Sequence, residues 1–231
     1  MAIKKLNITA SARSVTASNA QTLDFERILP FACKPFNISP DVKDYHFSVV
    51  PILTSDLPNR NGIGIPLAEL VRWNPELGRQ GYKGWAGMPL HYEHKSDIHD
   101  QAIGIIADVA LVPVEGFNGG RIYKVLALTA VDTTKRTEIT SKIASGEETT
   151  WSMGCMVDSY TCSCCGKEEG QCHHINPKQP VEFYEEGGIL IFRNVHNIKP
   201  FELSQVLDPA FPSAISNYSW DNELTQAFRN R

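Results

Sequence analysis

The chain has 231 residues, of which 42% are hydrophobic and 21% charged, and its formal net charge is −4. This composition is ordinary for a globular protein, and a chain of this length can bury a core without disulfide bonds. The slightly acidic balance argues against a general nucleic-acid-binding surface, which is normally basic. We expect one domain over residues 1–231, with no nucleic-acid partner.

No apolar run approaches the roughly 20 residues that a membrane span needs. The first residues, "MAIKKLNITASARSVTASNA", contain no apolar signal core. We therefore expect no membrane partner, and we expect the protein to remain in the cytoplasm of the cell that makes it.

Taken in chain order, the elements are mainly short strands. β-Branched or alternating segments predict strands at "KLNITASARSV", "DYHFSVVPIL", "AIGIIADVALVPV", "RIYKVLALTAV", "TTWSMGCMVDSY", "ILIFRNV" and "PFELSQVL". Helical signals occur at "PLAELVRWN", at "TTKRTEITSKIAS" before Gly146, and at the terminal "WDNELTQAFRNR". The pattern predicts an α+β, mainly β fold, with a bent sheet or barrel flanked by helices.

Residues 161–187 interrupt this pattern with a polar segment rich in cysteine and glycine, which we interpret as an insertion. "CSCCGKEEGQCHH" contains a C-x-x-C-G turn followed by C-x-H, a spacing that suits a tetrahedral zinc site. The predicted ligands are Cys162, Cys165, Cys172 and His174, with Cys164 or His173 as possible substitutes. Four protein ligands leave no open position, so the predicted zinc is structural. A loop of free thiols or disulfides is the alternative.

Ser152 lies in the strand segment just before this insertion, in the pattern S-x-G. A serine hydroxyl needs a nearby base and an oxyanion-binding pocket before it acts as a nucleophile. Gly154 shares a strand face with Ser152, and its missing side chain would let a substrate backbone approach there. By itself S-x-G is a weak signal, and a serine on a solvated face is the simpler interpretation.

Histidines concentrate in "HYEHKSDIHD", which contains His91, His94 and His99. Each could act as a general base, and three within nine residues could also hold a metal. The segment lacks the HExxH arrangement, however, and does not read as a helix that would align two ligands. Spacing alone leaves both interpretations open, and histidines that are merely structural or exposed are the simpler interpretation.

The order of these features resembles the prohead proteases of tailed bacteriophages, in particular those of large myophages. The features are "WAGMPLHYEH", "AIGIIADV", "RIYKVLALTAVDTTK", a helix closing on glycine, "TTWSMGC" and "PFELSQVLDPAFPSA". "LPNRNGIGIPLAELVRWN" and the "CSxCG…CxH" insertion are also similar to segments of that family. The resemblance covers about residues 45–216, and its specificity comes from the ordered set rather than from any single motif.

The resemblance implies a serine endopeptidase with the fold of the herpesvirus assembly protease. By position, Ser152 is the nucleophile, His94 the general base and Glu202 the third member, with His91 and Asp132 as fallbacks. A backbone N–H beside Gly154 is the candidate oxyanion donor. Gln205, where the family usually has valine, and the ten-residue spacing from His94 to Gly104 depart from the family pattern.

The implied substrates are the scaffold or core protein, the major capsid protein precursor and the protease itself. Family members often act as homo-oligomers, in the host cytoplasm during assembly and inside the prohead. Two alternatives remain open. One is a non-enzymatic zinc-knuckle component of the capsid with a protease-like fold. The other is a metallohydrolase that uses His91, His94 and His99.

Overall fold

The computed structural model describes residues 25–96, 101–114, 122–148, 150–178 and 182–211. The predicted first strand, the predicted terminal helix and His99 lie outside these residues. The described α-helices are α1 (Phe25–Phe36), α2 (Leu67–Val71) and α3 (Thr137–Ser145). Two 3₁₀ helices occupy Val42–Asp44 and Gly81–Trp85. None of the helices in this part of the chain is long and apolar enough to cross a membrane.

The described strands outnumber the helices, which confirms the mainly β prediction. They are β1 (Tyr45–Thr54), β2 (Ile63–Gly64), β3 (Trp73–Asn74), β4 (Arg79–Gln80), β5 (Pro89–Tyr92), β6 (Gly104–Pro113), β7 (Tyr123–Asp132), β8 (Trp151–Met156), β9 (Ser159–Cys162), β10 (Tyr184–Glu186), β11 (Ile189–Ile191), β12 (Arg193–His196) and β13 (Lys199–Gln205). The segment "TTWSMGCMVDSY" forms two strands, β8 and β9, where the sequence predicts one.

Six strands form the main sheet, in the order β1-β7-β6-β5-β13-β8. Its neighbours are antiparallel except for β5 and β13, which run parallel. Register shifts interrupt β1, β6 and β13, and such bulges bend a strand and increase its twist. The terminal strands β1 and β8 contact each other, so the sheet curls into a half-barrel.

Both faces of the main sheet are covered, which explains the nearly continuous apolar run of β7. Along β7, Val125 and Ala127 belong to one buried cluster, and Leu126 and Leu128 belong to another. Helix α1 covers the second cluster through Phe25, Leu29 and Ala32. The first cluster fills the inside of the curl and includes Trp85, Trp151 and Leu203.

A three-stranded sheet in the order β2-β12-β9 lies beside the main sheet. Strand β9 ends at Cys162, and the cysteine-rich segment begins there. Strands β10 and β11 form a separate hairpin just before β12. The small sheet therefore connects the cysteine-rich segment to the rest of the fold.

Candidate active site and metal centre

A cavity of about 420 Å³ opens beside the last strands of the main sheet. Ser152, Gly154, His94 and Glu202 all line it. The fold thus brings together the three predicted catalytic residues, from segments that are far apart in the chain. None of the described residues that line the cavity is a lysine or arginine.

The pairing of β8 with β13 positions the serine and the carboxylate. Ser152 is directly opposite Ser204, and Gly154 is directly opposite Glu202. Directly opposed residues of an antiparallel pair project from the same face of the sheet. Ser152, Ser204 and Glu202 therefore share one face, while Trp151 and Leu203 project into the core on the other.

The register shift between Pro200 and Glu202 makes Phe201 the extra residue of β13. A Cβ placed on Gly154 would lie 2.6 Å from Glu202 Cγ and 2.7 Å from Phe201 Cζ. The space that we expected a substrate backbone to use is thus filled by these two side chains. Gly154 instead allows the Glu202 side chain to lie across β8.

His94 lies in a tight turn that follows β5. Glu93 and His94 have positive φ values of 51° and 54°, a conformation that non-glycine residues rarely adopt and that tends to cluster at functional sites. The Glu93 N–H donates to Gln205 O, and Glu93 Oε1 accepts from the Leu207 N–H. These bonds fix the turn against the end of β13.

His94 Nδ1 lies 2.6 Å from Glu202 Oε1. The Glu202 side chain is 2% exposed and that of His94 is 47% exposed. The hydrogen bond to Glu202 raises the pKa of His94 above its ordinary value, against the lowering effect of burial. Since a carboxylate only accepts, the neutral imidazole carries its proton on Nδ1 and leaves Nε2 as the basic nitrogen.

The second oxygen of Glu202 is also bonded, because the Ser204 hydroxyl donates to Oε2 at 2.8 Å. Ser204 is fully buried. Sequence reasoning missed this residue, although its i, i+2 spacing from Glu202 on one predicted strand places both on the same face. Ser152 and His94 line the same cavity, but within the described residues no hydrogen bond joins them.

The fallback residues lie elsewhere. His91 is fully buried in β5 and is not among the described residues that line the cavity. The Asp132 carboxylate accepts from the Ser39 N–H at 2.7 Å and from the Thr134 N–H at 2.9 Å, which gives it a structural role at the end of β7. Cys155 does line the cavity, but burial raises the pKa of its thiol to about 12, so it remains protonated near neutral pH.

The four predicted metal ligands do come together. One ligand atom from each of Cys162, Cys165, Cys172 and His174 lies within 4.8 Å of all the others. A tetrahedral zinc with Zn–S bonds near 2.3 Å would hold sulfur atoms about 3.8 Å apart, so a slight contraction is enough. The cluster could therefore hold a metal ion.

The turn at Cys162 has the geometry of a metal knuckle. The Cys162 N–H donates to Lys167 O, and the Gly166 N–H donates to Cys162 O, while Gly166 has a positive φ of 70°. A hydrogen bond from the Lys167 backbone and another from His174 lower the pKa of the Cys165 thiol to about 6. A thiol of this kind is readily available as a thiolate ligand.

The surroundings of the cluster also fit a metal site. His174 Nδ1 lies 3.5 Å from Cys162 Sγ, and its Nε2 lies 3.8 Å from Glu186 Oε2, an arrangement that orients a ligating imidazole. The possible substitute ligands Cys164 and His173 are both exposed. His173 groups with His174 and Glu186, but not with the thiols. Among the described residues, neither His91 nor His94 belongs to a potential metal-binding group.

No protein-family model, curated protein or solved structure matches this chain. The interpretation of the site therefore depends on its own geometry.

Proposed function

We propose that the protein is a serine endopeptidase that cleaves phage scaffold and capsid precursor proteins, and its own chain, during prohead maturation. The observation that carries the serine-hydrolase mechanism is the 2.6 Å pairing of His94 with the buried Glu202 in the cavity that Ser152 also lines. The phage substrates are those that the sequence resemblance implies. A histidine oriented by a carboxylate beside a serine is the arrangement that serine hydrolases share across unrelated folds.

In the proposed mechanism, Ser152 Oγ attacks the scissile carbonyl carbon while His94 Nε2 accepts the hydroxyl proton. Glu202 holds the Nδ1–H tautomer and stabilises the imidazolium. His94 then donates the proton to the leaving amine, and a water molecule repeats the sequence to release the acyl group. The attack needs a Ser152–His94 hydrogen bond, and such bonds often tighten only when substrate is bound.

The proposal includes the finer features that the resemblance implies. We propose that the curled sheet has the fold of the herpesvirus assembly protease and that the cysteine cluster holds a structural zinc ion. Zinc fits because three thiols and one imidazole are its typical closed, tetrahedral ligand set. Zinc would stabilise a segment with little core of its own, because among the described residues its buried cluster consists of Cys162, Ile175 and the neighbouring Ile191, with Cys172 packed against them. The protein would act in the host cytoplasm and inside the prohead, as a homo-oligomer.

The test is intact mass spectrometry of the wild-type protein and Ser152→Ala, each coexpressed with the scaffold and capsid precursors. We expect discrete truncations of the precursors with the wild type and none with Ser152→Ala. Ser159→Ala, an exposed serine on β9, is the matched control and should process normally. If the wild type and both variants leave the precursors full length while proheads assemble, the non-enzymatic capsid component becomes the better proposal. If all three cleave alike, the metallohydrolase or a host protease is responsible.

A further inference from the structure

Asn59 lies in the turn between β1 and β2 and lines the same cavity as Ser152 and His94. It is 6% exposed. Its Oδ1 accepts hydrogen bonds from the backbone N–H groups of Asn61 at 2.9 Å and Ile63 at 3.1 Å. The Asn59 backbone is paired as well, because its N–H donates to Ile63 O and its carbonyl accepts from the Gly62 N–H. The side chain is therefore held in one orientation.

These bonds also decide which atom of the amide is which. Backbone N–H groups only donate, so the atom that faces them must be the oxygen, and the opposite atom must be Nδ2. Within the described segments, Asn59 Nδ2 makes no hydrogen bond. The Nδ2 group is thus available to donate to a ligand oxygen that enters the cavity.

The charges around the cavity make a neutral donor useful. The described lining includes no lysine or arginine, and its carboxylate, Glu202, is already bonded to His94 and Ser204. A negative charge that develops on a substrate oxygen therefore needs stabilisation from fixed dipoles. A preorganised amide N–H is a common form of such a dipole.

We propose that Asn59 is a further catalytic residue, whose Nδ2 donates a hydrogen bond to the scissile carbonyl oxygen and to the oxyanion it becomes. The inference rests on the proposed function. As the Ser152 Oγ–carbon bond forms, the carbonyl π pair moves onto the oxygen that faces Asn59, and the hydroxyl proton passes to His94 Nε2. When the C–N bond breaks, the pair returns to re-form the carbonyl, and the amine leaves with the proton from His94.

The test measures the rate at which a fluorophosphonate probe labels Ser152 in assembled proheads, followed by peptide mass spectrometry. The probe forms a tetrahedral adduct whose phosphoryl oxygen needs the same donor. Asn59→Asp keeps the acceptor oxygen of the turn and removes the donor. Asn61→Asp places the same charge on a neighbouring residue that also lines the cavity. We expect Asn59→Asp to slow labelling roughly 100-fold or more and Asn61→Asp to stay within a few-fold of the wild type.

Two results would overturn the role of Asn59 and leave the proposed function standing. Either Asn59→Asp is labelled at the wild-type rate, or both Asp variants are labelled equally slowly, which indicates a charge effect. A wild type that is not labelled at Ser152 overturns the proposed function and this inference with it. Thermal melting checks that the Asp variant folds. If the Asp variant does not fold, Asn59→Ser takes its place and must show the same slowing of labelling. Serine keeps a short acceptor for the turn but is too short to place a donor where Nδ2 lies.

Discussion

Ser204 lies directly opposite Ser152 across the β8–β13 pair, and its hydroxyl donates to the Glu202 oxygen that does not face His94. We interpret Ser204 as a positioning residue that keeps Glu202 Oε1 directed at the imidazole. Ser204→Ala should lower kcat roughly 10- to 100-fold with KM unchanged, because a hydrogen bond to a charged group contributes roughly 1.5–3 kcal/mol. It should also raise the pKa of His94 further, since the carboxylate loses a donor that disperses its charge. NMR titration of His94 and steady-state kinetics measure both effects.

Ser48→Ala is the matched control for this change. Ser48 is also a buried strand serine, and its hydroxyl pairs with Thr129 at 2.8 Å, on β1 and β7. We expect it to lower the melting temperature without changing the His94 titration. If Ser204→Ala also affects only the melting temperature, its role is merely structural.

Glu202→Gln should lower the pKa of His94, because the hydrogen bond to Glu202 is the largest cause of its raised value. The base must be neutral, so wild-type activity should be lost as the pH falls through the raised pKa. In Glu202→Gln the acidic limb of the pH–rate profile should move to lower pH, while the maximal rate falls roughly 10²–10⁴-fold. Glu93→Gln removes a weaker electrostatic contribution and should shift the limb much less. Equal shifts in the two variants would argue against the pairing with Glu202.

The raised pKa of His94 makes stability and activity change in opposite directions with pH. A histidine whose pKa is raised by folding stabilises the protein fully below the unfolded value of about 6.5, and this contribution is lost as the pH rises through the folded pKa. Activity should therefore rise over the pH interval in which the His94–Glu202 contribution to stability declines. Denaturant titrations of the wild type and Glu202→Gln across this interval measure the difference, which should be largest at the acidic end.

The metal centre predicts one zinc ion per chain, measured by elemental analysis of the purified protein. Cys172→Ser should abolish stoichiometric binding, and chelation of the wild type should lower its melting temperature to a similar extent. Cys164→Ser is the matched control, because Cys164 is exposed and lies outside the four-ligand group. A Cys164→Ser protein that loses its zinc would mean that the ligand set is wrong.

Parts of the fold follow directly from local chemistry. Helix α3 ends at Gly146, which has a positive φ of 78°, because glycine tolerates the left-handed cap. The apolar runs around Ile105 and Leu126 form the predicted long strands. The potential metal-binding group is also accessible from sequence, because a C-x-x-C-G turn brings its own two thiols together and C-x-H follows closely.

Other parts depend on contacts that no local pattern contains. Helix α1 includes Pro30 and Pro35, which normally count against a helix, and its burial against the sheet supplies the compensating stabilisation. Pro66, which opens the predicted helical segment "PLAELVRWN", is the N-cap of α2 and not a residue of the helix. The close approach of His94 and Glu202 depends on the bulge at Phe201 and the turn at His94, which the sequence pattern did not predict.

One row of residues crosses the small sheet. Cys162 on β9 is opposite Arg193 on β12, and Arg193 is in turn opposite Ile63 on β2. The Arg193 N–H also donates to Gly62 O, and its side chain is paired with Glu169 at 2.6 Å. Adjacent strands are about 4.8 Å apart, so the potential metal ligand Cys162 lies only about 10 Å from Ile63, which lines the Ser152 cavity. For the protease that we propose, loss of the metal through oxidation of the thiols would loosen this wall, and cleavage would then depend on the redox state of the surroundings.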